Sequence, residues 1–259
     1  GQRPSWKRGV ACGFFLGLSV LTRPIPLLFP LIMWIGLLFA IGHGRRAGKM
    51  FAVVIVTMMV VLSPWLIRNY IVLGEMVPGG TEGGLTFFSG NNREEWDNPA
   101  LRGTYLIPKG RRVARAGKTE IEVDRTYLRM GLDFVRKNPG KFVRLAGYKF
   151  LRFWRIMPQT GFTPWVSRRK QLVSLFSYGL LLPFFVLGLL VSLRRWRKML
   201  NGYLPILYFM GVSMVFYGST RLRFPISPLI LSFAAFGLVW AGEWYRRKHK
   251  PDRGKERIS

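Results

Sequence analysis

The sequence predicts an all-α polytopic membrane protein, and three observations predict it. First, residues 24–44, 50–67, 171–193, 199–220 and 224–242 contain no Asp, Glu, Lys or Arg. Each stretch approaches the roughly 20 apolar residues that a helix needs to cross about 30 Å of hydrocarbon. A sixth run, residues 9–22, is shorter and fits a tilted or partly inserted helix. Second, the runs recur along the whole chain, so none reads as a cleaved leader. Third, the formal charge of +28 is gathered largely at the ends of these runs. In a soluble protein that charge would suggest nucleic acid; flanking apolar segments, it anchors and orients helices instead. The pattern argues against a nucleic-acid partner.

Residues 1–73 hold the first three membrane segments, giving about six crossings in all. Arg3, Lys7 and Arg8 precede the first, and Arg45, Arg46 and Lys49 join the second to the third. Residues 74–170 form a long polar loop, residues 171–242 the last three segments, and residues 243–259 a basic tail. Arg194, Arg195, Arg197 and Lys198 join two of the later segments, and the tail is basic from Arg246 to Arg257. Six alternating crossings put all these short basic connections on one face, which the positive-inside rule makes cytoplasmic. The loop 74–170 is then extracytoplasmic, and the protein is expected in the cell inner (plasma) membrane as a multi-pass chain. Arg168, Arg169 and Lys170 oppose this charge pattern. Long loops obey the rule poorly, and the short connections decide.

The loop is expected to be mainly helical. Thr119 and Glu122 have capping-box spacing and open a helix of about 18 residues. Asn138-Pro139 ends it and starts a second, since Pro tolerates a first helical turn and Asn caps one. That second helix runs from Lys141 to about Ile156. Phe142, Ala146, Phe150 and Phe153 or Trp154 fall on one face, with Lys141, Arg144, Arg152 and Arg155 on others. An apolar, aromatic and basic helix of this kind suits either the headgroup layer or packing on the outer domain.

Four arginines are the best candidates for chemistry: Arg23, Arg68, Arg221 and Arg223. All lie at the expected outer ends of membrane segments, where orientation gives them no purpose. A guanidinium beside hydrocarbon is costly unless paired or wet, and its planar fork matches phosphate oxygens. Several converging would make a phosphate site at the membrane boundary; singly, each reaches to lipid headgroups. The glycine-rich run from Pro78 to Asn92 offers a second candidate, a substrate loop of Gly83, Gly84, Asn91 and Asn92, because glycine lets backbone N–H groups approach a ligand. It is not a P-loop, for no Gly-Lys-Ser/Thr follows.

Other chemistries are poorly represented. There is no Ser/His/Asp arrangement, and His43 and His249 fall in the cytoplasmic connections. No acidic residue lies well inside a membrane run, which argues against an ion-coupled relay. Cys12 is the only cysteine, so there is no disulfide framework or thiolate metal cluster.

The succession Leu21-Thr22-Arg23-Pro24, Pro64-Trp65-Leu66-Ile67-Arg68-Asn69-Tyr70 and Gly83-Gly84-Leu85-Thr86-Phe87 with Gly90-Asn91-Asn92 resembles the GT-C glycosyltransferases. So does the continuation through Asp124, Asn138-Pro139, Lys149 with Phe153-Trp154, and Arg221-Leu222-Arg223-Phe224-Pro225-Ile226-Ser227-Pro228. The likeness is to the bacterial branch related to protein O-mannosyltransferases and the lipid A aminoarabinose transferase, the family 39-like enzymes. It implies a transferase of the cell envelope that moves a sugar from a polyprenyl-phosphate donor to a glycan, lipid or protein acceptor on the outer face. It implies a donor-phosphate role for Arg23, Arg68, Arg221 and Arg223 and requires no cofactor, while leaving a divalent metal open. The family's catalytic Asp lies in a first outer loop that has no counterpart here. Glu75, Glu82, Glu94, Glu95 and Asp97 are outer acids at other positions. The chain therefore reads as the C-terminal half of such an enzyme, inactive alone. The alternative is a non-enzymatic polyprenyl-lipid translocase or lipid-binding scaffold that uses the same arginines.

Overall fold

A computed structural model describes residues 5–41, 44–108, 110, 112–114, 117–157 and 168–249. Arg3, His43 and the tail beyond His249 lie outside the described residues, as do the side chains of Arg168 and Lys170. The protein is all-α, with no strand among the described residues. The helices are α1 (Trp6–Thr22), α2 (Phe29–Ile41), α3 (Arg45–Leu73), α4 (Gly83–Ser89), α5 (Arg93–Asp97), α6 (Glu120–Lys137), α7 (Pro139–Phe153), α8 (Arg168–Ser174), α9 (Leu180–Ser192), α10 (Trp196–Val215) and α11 (Ser227–Lys248). Short 3₁₀ turns at Ile25–Leu28, Leu193–Arg195 and Thr220–Ile226 connect them, and a π-helical turn at Leu175–Gly179 joins α8 to α9.

Among the described residues, three helical stretches are long and apolar enough to cross a membrane: Arg45–Leu73, Gln171–Val215 and Thr220–Lys248. Their outward side chains are apolar as well. Val56, Val60, Leu190 and Val239 are each about three-fifths exposed. Helices apolar all round need hydrocarbon on the side that no protein covers. This is a membrane protein. The second stretch is not straight. The hydroxyls of Ser192 and Tyr203 touch across Leu193–Arg195, whereas eleven residues of straight helix would span about 16 Å. The chain turns back there, making α9 and α10 separate legs. At 17 and 13 residues, α1 and α2 are shorter than a full span, because Arg23-Pro24 ends one and a 3₁₀ turn delays the other.

Glycines set the helix pairs. α1 lies along α3 through Gly9, Gly13 and Gly17, and a Cβ on Gly13 would meet the Val54 carbonyl oxygen at 2.5 Å. α9 lies along α11, where a Cβ on Gly188 would stand 1.9 Å from the Phe233 oxygen. Without a hydrophobic drive between helices in lipid, such close backbone approach is what allows dispersion to hold them. Around the second pair Phe153, Phe185, Phe209, Ile226, Ile230 and Phe233 form the principal core.

Between α3 and α8 the chain builds a small helical unit. The capping box is present: Thr119 Oγ1 accepts from Glu122 N–H, and the Glu122 carboxylate accepts from Thr119 N–H. α6 then runs 18 residues. Asn138 departs from expectation. Its side-chain amide donates to the Phe134 carbonyl and its own N–H bonds Phe134 and Val135, so it closes α6 and does not cap α7. α7 starts at Pro139 and ends at Phe153, short of Ile156. The face it buries is Leu145, Lys149 and Phe153, while Phe150 is exposed. Of the expected stripe Phe142, Ala146, Phe150 and Phe153 or Trp154, only Phe153 lies on the buried face. The docked surface is rotated because Lys149 finds polar partners inside.

Candidate functional site

Three of the four candidate arginines line one cavity. α1 stops at Thr22 because Arg23 turns to extended backbone (φ −150°) before Pro24, although its N–H still bonds the Ser19 carbonyl at 2.9 Å. Far along the chain, Ser219 caps the 3₁₀ turn Thr220–Ile226 by accepting from Arg221 N–H at 3.2 Å. The tighter winding of a 3₁₀ turn eclipses residues three apart. Arg223 and Ile226 accordingly go inward together, and Arg221 and Phe224 outward. These two turns, with Phe209 from α10 and Tyr178 from the π-helical turn, border a half-open cavity of about 650 Å³.

The three arginines are unlike. Arg23 and Arg221 are exposed, whereas Arg223 is 8% exposed. Arg223 Nη2 donates to the Arg155 carbonyl at 2.9 Å, and its guanidinium lies 3.9 Å over the Tyr178 ring. The Tyr178 hydroxyl also meets this guanidinium. The rest of the lining is apolar or hydroxyl-bearing, including Ile25, Leu222, Ser19 and Ser227, and no Asp or Glu faces it among the described residues. One buried and two exposed guanidinium groups around an apolar recess suit an anion attached to something hydrophobic.

The remaining candidates lie elsewhere. Arg68 does not line the cavity; its Nη1 donates to Asn69 Oδ1 at 3.0 Å and its guanidinium stacks 5.1 Å from the Trp65 ring. Gly83 and Gly84 open α4, where the Asp124 carboxylate accepts from the N–H groups of Gly84 and Leu85, both at 2.9 Å. A Cβ on Gly84 would meet the Asp124 carbonyl oxygen at 2.1 Å. Asn91 and Asn92 are fully buried. Asn91 Nδ2 donates to the carbonyls of Phe87 and Val215, and Asn92 Nδ2 to those of Phe88, Ser89 and Leu106. All four residues hold the loop together here and do not line the cavity.

Beneath the loop lies a buried ionisable pair that the sequence reading missed. Lys149 and Glu95 are both 0% exposed. Glu95 Oε1 accepts from Gly103 N–H at 2.7 Å, and Oε2 has no hydrogen-bond partner. Burial pushes the Glu95 carboxyl up to about 8 against the pull of the Lys149 ammonium. Burial brings Lys149 down to about 8, with Glu95 opposing the shift. Two signals were legible: Leu145, Lys149 and Phe153 recur every four residues, and Asn92-x-x-Glu95 has the spacing of a capped turn. Tyr178 carried no signal, because nothing local marks a π-helical turn. No group of three or more His, Cys, Asp or Glu gathers as a metal site among the described residues. Comparison of this chain with protein-family models, curated proteins and solved structures finds no match.

Proposed function

We propose that this chain is the C-terminal part of a multi-pass inner-membrane glycosyltransferase of the GT-C kind, and that the cavity holds the phosphate of a polyprenyl-phosphate sugar donor. One observation carries the reading: Arg23, Arg221 and Arg223, separated by some 200 residues, line one apolar recess. Arginines aimed at a leaving phosphate stabilise the charge that develops as the sugar departs. The loop would stand on the outer side with the acceptor, a glycan, lipid or protein.

The test is sugar transfer by the whole protein from defined polyprenyl-phosphate donors. Arg223→Lys keeps the charge and loses the planar fork; the rate should fall about 30- to 1,000-fold, as when a charge-stabilising donor is removed. A rate near wild type would sink the assignment. Sidedness is checked in a Cys12→Ser background with single cysteines at the exposed positions Lys49 and Asp97. An impermeant thiol reagent added to intact cells should label position 97 and spare 49. A second reading, a translocase or scaffold that holds a lipid phosphate without breaking a bond, is favoured by the lack of a carboxylate among the described lining residues. Binding of donor without transfer would decide for it.

A further inference from the structure

The face of α7 that the fold leaves uncovered is as regular as the one it buries. Leu145, Lys149 and Phe153 go inward. A helix advances about 100° per residue, which gathers Val143, Gly147, Phe150, Leu151 and Trp154 into an arc about 100° wide on the other side. Val143 and Leu151 are each about two-thirds exposed, and Phe150 is exposed as well. A Cβ on Gly147 would meet nothing within 4 Å. Arg144 and Arg155 are both exposed and follow one edge of this arc, about three turns apart. The helix carries no Asp or Glu from Pro139 to Phe153.

Two sets of contacts say at what depth this face lies and what adjoins it. On the buried side Lys149 Nζ meets the carbonyl of Val215, the last residue of α10, so α7 lies at the level where a membrane leg ends. At the C-terminal end of the open stripe, Trp154 stacks on Phe185 of α9 with ring centroids 5.4 Å apart. Just beyond, the Ser174 hydroxyl donates to the Ile156 carbonyl, which ties the exit from α7 to the apolar stretch Gln171–Val215. Val173 and Phe176 on that stretch are also about two-thirds exposed. The open stripe therefore runs on into side chains that already require hydrocarbon.

We infer that α7 lies in the headgroup layer of the bilayer that the long helices cross, with Val143, Phe150 and Leu151 in the acyl boundary and Arg144 and Arg155 on the phosphates of anionic phospholipids. An apolar stripe edged by cations is the arrangement by which a helix rests on a bilayer, and each basic residue near an anionic surface strengthens the attachment. A covering protein would have to displace lipid along α8 and α9 as well, because the stripe has no border with them. The inference is independent of what the cavity binds. It does bear on the cavity wall, since the Arg155 carbonyl holds Arg223 Nη2 at 2.9 Å, and a lipid grip on Arg155 steadies that contact.

The test uses the chain in phosphatidylcholine vesicles that contain phosphatidylglycerol, with Cys12→Ser and a bimane dye on Leu151→Cys. Brominated lipids quench the dye from the acyl region, and acrylamide quenches it from water. Brominated phosphatidylcholine should quench position 151 and acrylamide should not, while the dye on Asp97→Cys, an exposed loop position, should show the reverse. At low mole fraction quenching follows local lipid concentration. The brominated phosphatidylglycerol should then act at about one-fifth the amount, the weight of roughly one basic residue at an anionic surface. Arg144→Gln with Arg155→Gln should make the two lipids equal and leave the dye in the acyl region. Val143→Cys, on the same stripe, should repeat the pattern and serves if the Leu151 variant does not fold. Quenching of these stripe positions by acrylamide places the face in water and overturns the inference. Quenching by neither agent shows a protein cover, such as a second copy of the chain, and overturns it too. Equal action of the two lipids with both arginines in place, or a preference that survives their replacement, overturns the roles of Arg144 and Arg155.

Discussion

Lys149 Nζ donates to Asn91 Oδ1 at 2.8 Å, with neither side chain exposed. The same ammonium reaches the Val215 carbonyl at 3.3 Å, which also accepts from Asn91 Nδ2 at 2.9 Å. Val215 is the last residue of α10. One lysine therefore fastens the loop unit to the end of a membrane helix, and Gly218 N–H closes the junction by donating to the Gly103 carbonyl at 2.8 Å.

Lys149→Met keeps the aliphatic stem and deletes that fastening. It strands Asn91 Oδ1 and leaves Glu95 with Arg152 but without the Lys149 ammonium, for a cost of about 3 kcal/mol. Thermal unfolding in detergent should show a midpoint clearly below wild type, with protease cutting first between residues 98 and 108. An unchanged midpoint would show that the buried ammonium contributes nothing to holding the loop.

The Glu95–Lys149 pair also predicts an unusual pH profile. Glu95 titrates near 8 when folded and near 4.5 otherwise. Between those values the folded state holds a proton that the unfolded chain has released, so this group's stabilisation fades as pH rises from about 4.5 to 8. Lys149 titrates near 8 when folded and near 10.5 otherwise. There the unfolded chain binds more protons, and stability recovers as pH rises from about 8 to 10.5. Together the two groups contribute least near pH 8. Glu95→Gln should flatten the lower limb, and melting temperatures measured from pH 5 to 8 in both proteins test it.

The crossing of α9 and α11 tolerates no side chain at Gly188. A methyl there would press on the Phe233 carbonyl, and backbone cannot yield as a side-chain tip can. Gly188→Ala should cost at least the 1–3 kcal/mol typical of overpacking, whereas Gly211→Ala meets nothing within 4 Å and should be neutral or slightly stabilising. Equal melting temperatures for the two variants would refute the close crossing.

Asp124 caps α4 from a neighbouring helix, through two hydrogen bonds to backbone N–H groups. Asp124→Ala should cost about 1–2 kcal/mol, the range for losing a helix cap. Amide exchange should quicken at Gly84 and Leu85 before it does in α6.

Much of this architecture was legible in the residues. Uncharged runs revealed the membrane stretches, and Thr119 with Glu122 marked the start of α6, because these signals are local. Three arginines of the cavity were nominated from guanidinium chemistry at helix ends, which is also local. Arg68 was nominated on the same grounds but lies outside the lining, stacked on Trp65, since position along a helix does not say which way an arginine turns. Asn91 and Asn92 look like ligand-binding loop residues in sequence. Only the fold shows that their amides serve carbonyls as distant as Val215. Lys149 entered the sequence analysis only through the family resemblance, and its burial was not foreseen because it follows from partners supplied by α5 and α10.

The π-helical turn at Leu175–Gly179 carries one extra residue within its coil. An α-helix advances about 100° and 1.5 Å per residue, and a π-turn advances less of both. Rewinding these five residues as ordinary α-helix would therefore rotate the segment beyond them and lengthen it along its axis. Tyr178 keeps its station over Arg223 only while the wider coil persists, so this wall of the recess depends on how one turn is wound as much as on the side chains it carries.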